Sequence, residues 1–176
     1  MTELEKKNCL THLKTSQAAM LDVLENVSDR AFIYKSSPEI WSIAETLEHV
    51  IKVESSVITK LQHLRTITPT VQLDRPLTDD KVLELSASRK LKSKAPEPFL
   101  PDGIFRDKED ATVVFQQCRN QAANFIAKNN ADLDMVVFPH PRIGLLNGKQ
   151  WLLFISGHSL KHVEQIKDLI QAYLFS

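Results

Sequence analysis

The C-terminal stretch carries the feature that most constrains the fold. Trp151, Ile155, His158, His162, Gln165, Leu169 and Tyr173 recur at intervals of three and four residues, the spacing of inward positions in a helical bundle. Two imidazoles and an amide therefore stand where leucines are expected. A polar group buried without a partner costs roughly 1–3 kcal/mol, so the bundle must provide something to satisfy them.

Three further segments show the same periodicity, and nothing alternates convincingly with period two. The first runs from Glu3 to Asn26, with Leu10, Leu13, Met20, Leu21, Leu24 and Val27 on one side. The second opens at Ser42, where Ser42-x-x-Glu45 forms a capping box, and continues along a seam of Ile43, Leu47, Val50, Val57, Leu61 and Leu64. The third begins near Asp107, with Asp107, Glu109 and Asp110 at its positive end. It passes through Val114, Cys118, Ala122, Phe125 and Ile126 to Asn129-Asn130. The fourth opens at about Asn147, with Gln150 three residues on. With only 4 glycines in 176 residues, long helices are favoured over a sheet.

Between the second and third helices lies a long stretch, Arg65 to Asp107, holding Pro69, Pro76, Pro96, Pro98 and Pro101. Prolines forbid one continuous helix there, although Asp79–Ser88 fits a short one. A connection of this length lets the two flanking helices run parallel. The expected fold is all-α: a single-domain four-helix bundle with one long crossover between helices 2 and 3. The basic cluster Arg89, Lys90, Lys92 and Lys94 reads as a solvated loop face. The second link, Met135 to Gly148, reads as irregular and holds His140.

Lysine and arginine number 22 against 22 acidic residues, so no overall field attracts a phosphate backbone or anionic lipid. No run of about 18 apolar residues exists to span a membrane. The N-terminus has charges of both signs and no apolar core, so no signal peptide is expected. Cys9 and Cys118, two and far apart, read as free thiols of a cytoplasmic protein. Neither lies near a motif that would make it a nucleophile.

Spacing of i, i+4 stacks His158 and His162 on one helix face, the geometry that a single ion needs. Taken alone, the pair could equally be satisfied by a carboxylate or water. Ser159 stands where a zincin has its glutamate, which disfavours a metalloprotease. His49, two turns into the second helix beside Val50, is a third candidate. His12 and His63 have polar neighbours and read as surface residues.

The segment Trp41 to Ile51, W-S-I-A-E-T-L-E-H-V-I, resembles the Trp-Ser-x-x-Glu-x-Leu-x-His signature of the DinB/YfiT-like metalloenzymes. Gly157 to Ile166, G-H-S-L-K-H-V-E-Q-I, resembles that family's closing His-x-x-x-His-x-x-Gln-Ile motif. Ala95 to Gly103 and His140 to His158 are also similar to family segments. One departure is Lys161, where the pattern usually has arginine. The resemblance implies a four-helix bundle with a long second-to-third connection, and a divalent metal held by His49, His158 and His162.

Three neutral imidazoles leave an open coordination position, the catalytic rather than the structural arrangement. Imidazoles suit zinc, nickel, copper or iron, with zinc or nickel expected here. The implied chemistry is activation of water or a low-molecular-weight thiol cosubstrate for attack on a small electrophile, as in a hydrolase or thiol S-transferase. The alternative is a non-catalytic metal-binding or interaction bundle. Glu45 and Gln165 are the candidates for a supporting catalytic role: Glu45 lies one turn before His49, and Gln165 projects from the face of His158. Glu45 has an equally good capping role. Glu54 interrupts the apolar seam of helix 2, where an internal hydrogen bond explains it at least as well as catalysis. The expected partner is a small-molecule substrate, with a homodimer possible in such relatives and no nucleic acid or membrane.

Overall fold

The computed structural model describes residues 1–64, 77–90 and 94–176. Pro69, Pro76 and Lys92 lie outside the described residues, as does the side chain of Leu64. The helices are α1 (Glu3–Glu25), α2 (Asp29–Ile33), α3 (Ile43–Leu64), α4 (Asp79–Ala87), α5 (Lys108–Lys128) and α6 (Gly148–Leu174). A hairpin of β1 (Val137–His140) and β2 (Gly144–Asn147) precedes α6.

Local chemistry explains where the helices start. At α3, the Ser42 amide donates to Glu45 and the Glu45 amide donates to the Ser42 hydroxyl, the reciprocal pair that the spacing predicts. Asn147 and Gln150 make the same exchange at α6, and the Asp107 carboxylate accepts from the Asp110 amide at α5.

The four long helices form the bundle, and its core reveals their directions. One apolar cluster joins Cys9 and Leu13 of α1, Val57 and Leu61 of α3, Phe125 and Ile126 of α5, and Leu152 and Ile155 of α6. The other joins Met20 and Leu24, Leu47 and Val50, Ala111 and Phe115, and Val163 and Ile166. The first cluster holds the N-terminal halves of α1 and α6 and the C-terminal halves of α3 and α5. Hence α1 and α6 run one way and α3 and α5 the other. The parallel neighbours α3 and α5 require the long crossover.

Between the two clusters lies a charged layer. Arg119 of α5 is fully buried. It donates to the Leu13 carbonyl and Ser16 hydroxyl of α1, pairs with Glu54 of α3 at 2.6 Å, and donates to Ser159 of α6. Glu54, the residue that breaks the α3 seam, is therefore an internal ion-pair partner. Burial pushes its carboxyl up from the ordinary range, opposed by Arg119 and Ser159.

Several expectations need correction. The link before α6 is an antiparallel hairpin, with Phe138 opposite Leu146 and His140 opposite Gly144. Its strands are four residues long, and each buries only one side chain, Phe138 or Leu146, too short a record for a period of two to emerge. Helix α2 was not foreseen; Ser28 caps it, and it spans less than two turns. On α5 the inward residue is Phe115, whereas Val114 is 37% exposed. Arg119 in the seam shifts the apparent apolar face by one position. The basic cluster does lie at the surface: Arg89, Lys90 and Lys94 are exposed, and Arg89 pairs with the exposed Asp168 of α6.

Candidate metal centre

His49 comes from the first half of α3, and His158 and His162 from consecutive turns of α6. All three are buried. Their ring centroids form a triangle with sides of 5.2, 5.0 and 4.5 Å, and the potential ligand nitrogens all lie within 4.8 Å of one another. The α6 pair meets Nε2 to Nε2 at 3.1 Å. That is close to the roughly 3.3 Å separation of two ligands on a tetrahedral ion with zinc–nitrogen bonds near 2.0–2.1 Å.

Hydrogen bonds on the far side of two rings fix their tautomers. Nδ1 of His49 donates to the Phe99 carbonyl at 2.7 Å, and Nδ1 of His162 donates to Oε1 of Gln165 at 2.9 Å. A carbonyl or amide oxygen can only accept, so each Nδ1 carries the proton and each Nε2 keeps its lone pair. Nδ1 of His158 is buried with no hydrogen-bond partner. Burial lowers the pKa of His49, holds His158 well below the ordinary imidazole value and takes His162 to about 3. All three imidazoles are therefore neutral at pH 7, the ligating form. This donor set fits a divalent cation. Among the described residues no cysteine or carboxylate joins it.

Phe99 reaches His49 through a strapped loop. A 3-10 turn, Glu97–Phe99, is followed by a chain that folds back over α3 through Gly103, at φ +71°. The buried Glu48 carboxylate accepts from the amides of Asp102, Gly103 and Ile104, and Lys52 donates to the Leu100 carbonyl and Asp102. Glu48 thus fixes the carbonyl that orients its neighbour His49. Sequence reasoning missed both Glu48 and Phe99. The available signal was a glutamate beside the histidine, with Lys52 four residues on.

The structure places Gln165 against His162 as described. Glu45 is engaged elsewhere, by the Ser42 amide and by Lys35 at 2.8 Å, and it is the Phe99 carbonyl, rather than Glu45, that orients the His49 ring. Cys9 and Cys118 are free, buried thiols, and burial raises them to about 12 and about 11.

The histidines line a cavity of about 950 Å³. Its walls include Trp41, Phe99, Phe138, Trp151 and Phe154, and the hairpin contributes His140. The His140 Nδ1 accepts from the amides of Arg142 and Ile143, leaving a neutral ring whose pKa burial lowers to about 4.

Comparison with known proteins agrees with the fold. The chain is 29% identical over 146 residues to the uncharacterized protein YuaE of Bacillus subtilis, covering 83% of this chain and 87% of that one. YfiT from Bacillus subtilis, described as "a probable metal-dependent hydrolase with an unusual four-helix bundle topology", superposes with a TM-score of 0.65 at 15% identity. The match covers 100% of this chain and 91% of YfiT. The four-helix bundle protein TT2238 superposes with a TM-score of 0.60 at 22% identity, over 92% of this chain and 96% of that one. These likenesses establish the fold. A sequence model of the DinB superfamily matches residues 12–166, a span that contains all three histidines and nearly the whole bundle. The chain belongs to the DinB superfamily.

Proposed function

We propose that this protein is a metal-dependent enzyme that directs water or a low-molecular-weight thiol at a small electrophile held in the cavity. One observation carries the reading: three neutral imidazoles converge at the floor of a large, mostly apolar cavity. His49, His158 and His162 would hold a divalent ion there, and it would supply Lewis-acid chemistry that makes water or a thiol more acidic. The remaining work falls to the chain itself. Phe99 and Gln165 hold the ligand rings by their far nitrogens. Trp41 packs on His49 with centroids 5.1 Å apart and, with Phe154, shields the floor from bulk water.

In the thiol reaction, a sulfur–carbon bond forms, the leaving group departs with its electron pair, and the thiol proton goes to solvent. In the hydrolytic reaction, water oxygen bonds to the acyl carbon and the alcohol leaves protonated. The test is elemental analysis of purified protein, followed by turnover of a chromogenic aryl halide with a small thiol and of an aryl ester without it. One divalent ion per chain is expected, with activity lost in His162→Ala while the circular dichroism spectrum persists. Failure to take up zinc, nickel or manganese stoichiometrically defeats the proposal.

A further inference from the structure

The hairpin tip spends its backbone donors on one side chain. Strand β1 ends at His140, and of the residues 141–143 that turn the chain, Pro141 has no N–H to give. The other two amides point at the same atom: Nδ1 of His140 accepts from Arg142 at 3.2 Å and from Ile143 at 3.1 Å. Two N–H groups facing Nδ1 leave no room for a proton on it. A neutral imidazole then carries its one proton on the other nitrogen, so Nε2 of His140 is an N–H donor. Burial, with Lys161 and Arg142 acting in the same sense, keeps the ring neutral at pH 7. His140 is thereby reduced to a single role, giving one hydrogen bond through Nε2.

That donor is not used within the chain. Among the described residues no acceptor meets it, and the sealed side-chain nitrogens without a partner are Nε of Arg119 and Nδ1 of His158. Nε2 of His140 is therefore reachable from the cavity that its ring lines. Its surroundings are aromatic, with Phe154 at 4.6 Å and Trp151 at 5.4 Å between ring centroids. The indole N–H of Trp151 is already given to the Phe138 carbonyl. A fixed donor in an apolar wall is what orients a mainly apolar ligand, because an acceptor buried there without it loses its hydrogen bond to water. Phe154 packs on His140 and also on His158, at 5.3 Å, so one ring separates this donor from the histidine floor.

We infer that His140 is a specificity-determining residue whose Nε2–H hydrogen-bonds a carbonyl oxygen of the substrate. The substrate is then a carbonyl compound with an aromatic or alkyl body laid against Trp151 and Phe154. This rests on the functional reading above, since it takes the same cavity as the substrate chamber, and it adds which atom of the electrophile the chain holds.

The test is nuclear magnetic resonance on the zinc-loaded, isotope-labelled full chain. Long-range proton–nitrogen correlations at pH 7 should show His140, the ring missing from His140→Phe, as the Nε2–H tautomer. An Nδ1–H tautomer or a charged ring overturns the inference. Binding is followed at the indole N–H signals of Trp41 and Trp151, the chain's 2 tryptophans, which both line the cavity. The probes are benzylacetone and butylbenzene, similar in shape, of which only the ketone offers an acceptor. His140→Phe should weaken the ketone about three- to ten-fold, the worth of one hydrogen bond, and leave butylbenzene within about two-fold. In the unsubstituted chain the ketone, and not butylbenzene, should move the His140 Nε2 signal, a response that a purely structural histidine does not give. This measurement decides alone if His140→Phe fails to fold. An unmoved Nε2 signal, binding of neither probe, or equal effects of a folded His140→Phe on both probes overturns the inference. Repeating the titrations on chelator-stripped protein separates the two readings. Ketone binding and an Nε2 response that vanish with the ion put the carbonyl on the metal, which overturns this inference and leaves the metal reading intact. The same response in protein that takes up no metal supports this inference and defeats the metal reading.

Discussion

At the scale of single residues, the site depends on which nitrogen of each imidazole carries the proton. Gln165 fixes this for His162, and Gln165→Leu removes the acceptor. Metal affinity should fall about 10–100-fold by chelator competition, as when such outer partners of metal ligands are lost. Unchanged affinity would mean that the helix alone holds the ring. The same burial makes the metal-free protein acid-sensitive. The His162 pKa lies at about 3 in the folded chain, against an ordinary value of 6.5. The unfolded chain therefore binds the extra proton in that window, and stability is complete above pH 6.5 and falls as pH drops through it. At pH 5 the loss from His162 alone is about 2 kcal/mol, with His49, His158 and His140 shifted in the same direction. Urea midpoints at pH 7 and pH 5 measure it, and a flat profile would contradict the buried, neutral trio.

At the scale of elements, close approach matters more than propensity. Gly157 lies where α6 meets α4, and a Cβ there would sit 1.9 Å from the Ser86 hydroxyl oxygen and 3.1 Å from the Leu83 carbonyl. Gly157→Ala should therefore destabilise by about 1–3 kcal/mol in thermal denaturation, although alanine is the better helix former. A gain in stability would show that α4 can retreat freely. The elements also differ in how legible they were. The caps at Ser42, Asp107 and Asn147 could be read because each is written within four residues. His158 and His162 could be placed inward because helical periodicity covers all of α6. The hairpin and α2 could not, since neither is long enough to establish a period. The Phe99 carbonyl leaves no trace in side-chain sequence, and Glu48 acts on amides more than fifty residues away. Arg119 was missed because a charged residue in a core seam runs against the pattern used to find the seam.

Across the whole molecule, Arg119 touches α1, α3 and α6 from α5, so one side chain registers all four helices of the bundle. Arg119→Met or Glu54→Leu alone leaves a buried charge uncompensated and should cost about 3–5 kcal/mol, whereas the double variant should cost less than the sum. Urea denaturation of the three variants gives the coupling, and strictly additive losses would count against the pair. The cavity is likewise a property of the whole chain. Its floor belongs to α3 and α6, while much of its roof comes from the segment around Phe99 and from the hairpin tip at His140 to Ile143. Connecting segments tolerate substitution and insertion far better than packed helices. The three histidines and much of the roof above them are therefore encoded in separate stretches of sequence, and a descendant can reshape the chamber by rewriting two loops while inheriting the three histidines intact.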